Sequence, residues 1–174
     1  MAKVEASPEL VALGTDGRGR ARYSTRAMVA VERRLEEASL ELGGRTSHGV
    51  SLAVRRAAMA REGLGEEQAL AVGEVTRSRD LSVVIGYAGT GKSTMLGVAR
   101  AAWEAAGYRV RGAALSGIAA EGLEAGSGIE SRTLASLERG WEKGFDLLER
   151  GDVLVVDEAG MVGSRQMERV LSAA

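Results

Sequence analysis

One eight-residue stretch, Gly86-Tyr87-Ala88-Gly89-Thr90-Gly91-Lys92-Ser93, constrains this chain more than anything else in it. It matches G-x-x-x-x-G-K-[ST] in full, with an apolar run before it and a helix-forming segment after it. Each residue type has a physical reason to be there. Gly86, Gly89 and Gly91 let the backbone turn tightly and aim successive N–H groups inward, at the positions of phosphate oxygens. The helix that begins near Lys92 adds the positive end of its dipole. Lys92 supplies a point charge for β- and γ-phosphates, and Ser93 a hydroxyl for Mg²⁺. Ala88, Thr90 and Thr94 complete the cradle. The motif therefore predicts a site for a nucleoside triphosphate, ATP with Mg²⁺, on a strand–loop–helix unit of an α/β fold.

A second element supports the first. Val153-Leu154-Val155-Val156 is an apolar strand that ends in Asp157-Glu158. A carboxylate at such a strand end is what is needed to hold Mg²⁺ across from Ser93, and Asp157 is the candidate. Glu158 is the candidate general base that positions and polarises the attacking water. Two acids after a strand are by themselves a common solvated strand end; downstream of a phosphate loop they gain meaning.

The rest of the chain reads as alternating elements. Residues 10–23 have β-prone edges around the turn-rich Gly14-Thr15-Asp16-Gly17. Ser24 or Thr25 then caps a helix to about Leu42, with Met28, Val31, Leu35, Ala38 and Leu42 spaced to make one buried face. A second helix spans 50–61 and a third 66–76. The run Leu81–Ile85 reads as a buried parallel strand. A helix over 92–106, a strand over 108–115, a short helix over 118–123, a glycine-rich loop over 125–131, short helices over 134–139 and 145–150, and a strand over 152–156 follow. This alternation predicts a parallel sheet with right-handed crossovers. It divides the chain into an N-terminal, mainly helical appendage, residues 1–63, and a partial phosphate-loop ATPase domain, residues 64–174.

Composition narrows the function classes. The formal net charge is −1, so there is no overall basic character of a stand-alone DNA binder, and six aromatic residues leave few base-stacking platforms. Contact with a nucleic acid is expected to go mainly to its backbone. The chain has no cysteine, which excludes disulfides and thiolate metal sites, and no apolar run long enough for a membrane span. A cytoplasmic protein with no membrane partner is the expectation. His48, the only histidine, falls in an interhelical loop and reads as solvated or structural. Trp103 reads as core, Trp141 as packing under a loop, and Arg33, Arg34, Arg55 and Arg56 as a solvated helix face.

Several segments taken together resemble the superfamily 1 DNA helicases of the exonuclease V alpha-subunit (RecD-like) group, and within them the helicase portion of Ti-type conjugative transfer relaxases of the TraA group. They are Tyr23-Ser24-Thr25-Arg26-Ala27-Met28 with Glu32, Leu64-Gly65-Glu66-Glu67-Gln68 with Ala71-Val72, and the run Gly86 to Leu96. Ala113 to Ala120, Ser131-Arg132-Thr133-Leu134 and Asp157-Glu158-Ala159-Gly160-Met161 complete the set. The resemblance implies a RecA-like motor that hydrolyses ATP to move along single-stranded DNA, with further helicase and relaxase domains as its partners. It implies that Gln68 reads the adenine edge, as an amide with both donor and acceptor is able to do. It places Ser116, Gly117 and Thr133 at the DNA backbone, a role that hydroxyls and backbone N–H groups suit. A strand-end turn and a helix cap account for the same residues without DNA.

The family pattern continues past Asp157-Glu158 with a further strand, a second motor domain and arginines that reach the γ-phosphate. On that pattern this segment is expected to be cut off after the second acidic element. The strand of residues 81–85 and the strand of residues 152–156 would then be separated by about 10 Å, two strand spacings, with unpaired backbone on each. Such a segment should fold marginally. It should also bind nucleotide better than it hydrolyses it, because a missing arginine costs about 10³–10⁵ in rate. Two other readings of the residues stay open: a phosphate-loop ATPase or kinase that does not act on DNA, and a non-catalytic structural fragment.

Overall fold

The structure, a computed structural model, describes residues 7–60, 63–87 and 89–174. The chain opens with an antiparallel ribbon, β1 (Leu10–Thr15) and β2 (Ala21–Thr25). Thr25 ends the ribbon and caps the next helix, its Oγ1 accepting the Met28 N–H at 3.1 Å. That helix, α1 (Arg26–Gly44), buries Val31 and Leu42 and half-buries Met28, Leu35 and Ala38, the five positions expected from the spacing. Two shorter helices follow, α2 (Leu52–Met59) and α3 (Glu66–Val75).

The α/β body contains α4 (Lys92–Ala105), β3 (Arg109–Ala114), α5 (Gly117–Ser127), β4 (Ser131–Thr133), α6 (Leu134–Glu142), β5 (Asp152–Val156) and α7 (Ser164–Ala173). Among the described residues the sheet has three parallel strands in the order β4-β3-β5, with Ala114 opposite Thr133 and Ala113 opposite Val156. The mixed α/β class with a parallel sheet is as expected from the sequence. Alternation along β5 explains why the run is apolar on both sides. Val153 and Val155 pack on a core of Val72, Met95, Val98, Ala99, Ala102, Trp103 and Val110. Leu154 and Val156 pack on Leu134, Leu137 and Val170 from α6 and α7. Trp103 is core and Trp141 half-buried, donating its Nε1–H to the Asp146 carbonyl at 3.0 Å.

The structure corrects four local expectations. The first concerns Leu81–Ile85, which is neither a strand nor buried: Val83 is 78% and Ile85 95% exposed. Strand geometry needs a neighbour to take its backbone hydrogen bonds, and the outer edge of β5 has none among the described residues.

Residues 145–150 form no helix. Gly144 and Asp146 take positive φ (73° and 58°), and the carbonyls that a helix would use accept from side chains, Asp146 from Trp141 and Arg111, Leu147 from Arg111. The glycine-rich stretch expected as a loop from 125 is instead the last turn of α5, stopped at Gly128, whose φ of 71° ends a helix without strain. Among the four arginines expected on a solvated face, Arg34 pairs with Glu168 of α7 at 2.7 Å. Arg55 lies half-buried and donates to the Gly73 carbonyl at 3.1 Å, tying α2 to α3.

Candidate functional site

Glycines shape the segment between residue 85 and α4. Gly89 and Gly91 sit at φ of 80° and 74°, the left-handed region that a side chain disfavours. At Gly86 space rather than φ is tight: a Cβ there would lie 3.0 Å from Thr90 Oγ1 and 3.3 Å from Lys92 Cδ. The Thr90 hydroxyl donates to the Tyr87 carbonyl at 2.9 Å and so staples the turn. Lys92 curls back over the loop, its ammonium donating to the carbonyls of Gly86 and Tyr87 at 2.9 Å each. Two of its three N–H donors are used, and the third is available to an anion in the loop. Ala88 lies outside the described residues.

Gln68 closes the loop from α3. Its Nε2 donates to the carbonyls of Thr90 and Gly91, both at 3.2 Å, and its Oε1 accepts the Gly65 N–H at 3.0 Å. The amide thereby caps α3 and fixes where α4 begins. One lone pair of Oε1 remains for an external donor.

Ser93 and Thr94, in the first turn of α4, are exposed. Against Ser93 stands Gly126 of α5, where a Cβ would come 2.7 Å from Ser93 Cβ and 3.0 Å from its Oγ. The position of Ser93 thus depends on a glycine 33 residues away. Sequence reading missed it, because a glycine in a helix needs a tertiary neighbour to explain it.

At the C-terminal edge of the sheet the register brings several candidates level. β3 leads to Ser116, β4 ends on Thr133, and β5 leads to Asp157, whose N–H donates to the Ala113 carbonyl at 2.9 Å. Ser116 and Thr133 are both helix caps: Ser116 Oγ accepts the Ala119 N–H and Thr133 Oγ1 the Ser136 N–H, each at 3.2 Å. Gly117, the first residue of α5, is exposed. Asp157 Oδ1 accepts the Glu158 N–H at 2.9 Å, and Glu158 is exposed with φ of 51° and ψ of 38°. A residue with a side chain in that region is strained, and such strain gathers at working sites. Among the described residues no hydrogen bond joins Asp157 to Ser93 or Lys92. A hydroxyl and one carboxylate would leave Mg²⁺ the phosphate oxygens and waters it favours as remaining ligands. The spare Lys92 donor and the Ser93 hydroxyl, both in the first turn of α4, are groups that suit a polyphosphate.

The perturbed carboxylates lie elsewhere. Asp80, with a side chain 2% exposed, joins the 45–48 loop to the start of the 81–87 segment. It accepts from Arg45 at 3.1 Å and from the backbone and hydroxyl of Ser47 at 2.7 Å each, and His48 Nδ1 lies 3.1 Å away. Burial works to raise this carboxyl; the donors of Ser47, His48 and Arg45 outweigh it and hold it well below the usual carboxylate range. His48 Nε2 lies 3.0 Å from the Arg150 carbonyl, next to β5. The histidine is structural, as expected, but as a bridge rather than a solvated loop residue. Asp152, at the start of β5, is likewise pushed up by burial and pulled lower overall by Arg109, the Glu149 N–H and Arg111. Both clasps sit near the start of β3 and β5, at the end opposite Asp157, and so brace the fold.

Among the described residues no helix is long and apolar enough to cross a membrane. The family model described as "AAA domain" matches residues 63–174, well over half of the chain. Among curated proteins, the chain is 48% identical over 154 residues to a conjugal transfer protein TraA of Agrobacterium fabrum, a match covering 88% of this chain and 14% of that protein. It is 44% identical over 182 residues to a probable conjugal transfer protein TraA of Sinorhizobium fredii, covering all of this chain and 16% of that protein. A TraA of Rhizobium radiobacter is 47% identical over 155 residues. The chain thus spans about one seventh of the length of these relatives.

Proposed function

The chain belongs to the AAA domain family, and on that premise we propose that it supplies the ATP-binding segment of an ATP-dependent single-stranded DNA translocase or helicase used in conjugative transfer. One observation carries the reading: a glycine cradle over residues 86–93 with Lys92 folded across it at the start of α4. Similarity to proteins named for conjugal transfer supports the DNA part. Residues 64–174 are the motor portion and residues 1–63 its appendage.

In this reading the loop N–H groups of Gly86 to Thr94 and the Lys92 ammonium bind the phosphates of ATP, and Lys92 stabilises charge that develops on the γ-phosphoryl group. Ser93 and Asp157 would hold Mg²⁺, which would supply charge neutralisation for the phosphates. Gln68 offers its free lone pair to the adenine amine while its Nε2 keeps the loop in place. Glu158 accepts a proton from the attacking water and orients it. Ser116, Gly117 and Thr133 meet the DNA backbone at the same sheet edge. The other helicase and relaxase domains of the full-length protein are partners of this segment.

The test is steady-state ATP hydrolysis by the full-length protein with and without single-stranded DNA, beside Lys92→Ala and Glu158→Gln. The reading expects DNA to stimulate hydrolysis. Each variant should lose about 10²-fold or more of the rate, and Glu158→Gln should still bind nucleotide. Hydrolysis indifferent to DNA would instead favour a phosphate-loop ATPase or kinase that does not act on DNA.

A further inference from the structure

The β1–β2 ribbon takes no part in the site above, and its charge stands out from the chain's. Residues 10–26 carry Arg18, Arg20, Arg22 and Arg26 against the single acid Asp16, a balance of +3 in a protein of net charge −1. The base of the ribbon is tied down. Leu10, Val11 and Ser24 are half-buried, and Arg26 donates to the Pro8 carbonyl at 2.7 Å. Beyond the base, Ala12 to Thr15 and Ala21 to Tyr23 are exposed.

The tip is ordered by its one acid. The Asp16 carboxylate accepts the backbone N–H groups of Arg18 and Arg20 at 2.9 and 3.0 Å and the Arg20 Nε–H at 2.9 Å. Asp16 is therefore spent on the turn. Among the described residues, neither Arg18 nor Arg22 has a carboxylate within salt-bridge distance. Alternation along β2 puts Arg22 and Ser24 on one face and Ala21, Tyr23 and Thr25 on the other. Arg18 lies in the turn and Arg22 on β2, so these two cations sit at the tip and on the face of the ribbon. Tyr23, on the opposite face, is not placed to stack on bases at the arginine face, so contact there is to the backbone alone.

We propose that this ribbon is a DNA-backbone grip, with Arg18 at its tip and Arg22 on its face contacting phosphates. The assignment rests on the reading that the full-length protein works on DNA, but it names a surface apart from Ser116, Gly117 and Thr133. An arginine pair on an ordered, exposed ribbon neutralises phosphates without reading sequence and makes affinity depend on salt.

The experiment is binding of the full-length protein to a labelled single-stranded oligonucleotide and to its duplex, by anisotropy, from about 50 to about 200 mM salt. Arg18→Ala/Arg22→Ala is compared with wild type and with Arg18→Lys/Arg22→Lys, and Mg·ATP affinity is measured for all three. On single strands the alanine pair should flatten the log K against log salt slope by about 1.4, two contacts at about 0.7 each. The lysine pair should keep the wild-type slope, and Mg·ATP affinity should not change. The same loss confined to duplex, about 1.8, also supports the grip and assigns it to the double-stranded side. An unchanged slope in the alanine pair, with DNA binding intact, overturns the ribbon alone. A wild-type protein that binds neither form overturns the DNA reading together with it.

Discussion

Two valine-rich runs of five residues, Leu81-Ser82-Val83-Val84-Ile85 and Asp152-Val153-Leu154-Val155-Val156, each lead into a proposed catalytic element, and they meet opposite fates. The second is β5, paired along its length with β3 and packed on both faces. The first has no strand pairing, and its isoleucine is almost fully exposed. Apolarity brings a run to the core only if a neighbouring strand takes its N–H and C=O groups. The proposed phosphate loop does not inherit its order from a strand beneath it. It is held from the helix side, by Gln68 of α3, by the Lys92 and Thr90 bonds across the loop, and by the Asp80 clasp at the start of the 81–87 segment.

The comparison is sharpened most by placing the same charge in both runs. Val155→Asp should destabilise by about 3–5 kcal/mol, because it puts a carboxylate without a partner against the apolar cluster that includes Trp103. Ile85→Asp should change stability by less than about 0.5 kcal/mol. Urea unfolding measures both, and equal effects would mean that residues 81–85 are paired in solution.

Asp80→Asn comes next, with a loss of about 2–3 kcal/mol, since several charge-assisted hydrogen bonds converge on that carboxylate. The effect has a pH signature. The Asp80 and Asp152 carboxyls are both lowered in the folded state. The stability they add is therefore complete above the unfolded-state value, about 4, and drains away as pH falls below it. The Asn variant should lose less stability than wild type on acidification from pH about 5 to about 3, as thermal melts would read.

Gly126→Ala should cost about 1–3 kcal/mol through the clash with Ser93. It should also weaken Mg·ATP binding more than Mg-free ATP binding, which calorimetry separates. An effect of the opposite sign falls at the end of β5. Glu158→Gly removes a side chain from a positive-φ position and should stabilise by up to about 1 kcal/mol, while abolishing hydrolysis. A destabilised Gly variant would show that the Glu158 backbone is not strained.

What the sequence made legible were features with a local code. The helix period of α1, the Thr25 cap, the glycine cradle and the two-faced apolar pattern of β5 each follow from residues a few positions apart. The rest depended on partners distant in the chain. The apolar run of residues 81–85 is indistinguishable in sequence from a buried strand. The Asp80–His48 bridge spans 32 residues and Gly126–Ser93 spans 33. In the 145–150 segment the arginine side chain that takes its carbonyls comes from β3. The sequence also averaged away the basic ribbon, because its +3 is cancelled by acids elsewhere.

The central claim is that the loop over residues 86–93 binds a triphosphate through Lys92. The most direct measurement is equilibrium binding of Mg·ATP to the full-length protein, wild type against Lys92→Ala, with folding of both checked by circular dichroism. The account predicts saturable binding by wild type and a loss of at least about tenfold in the variant, the worth of one charge-assisted hydrogen-bonding group. Equal affinity of the two proteins, both folded, would contradict it.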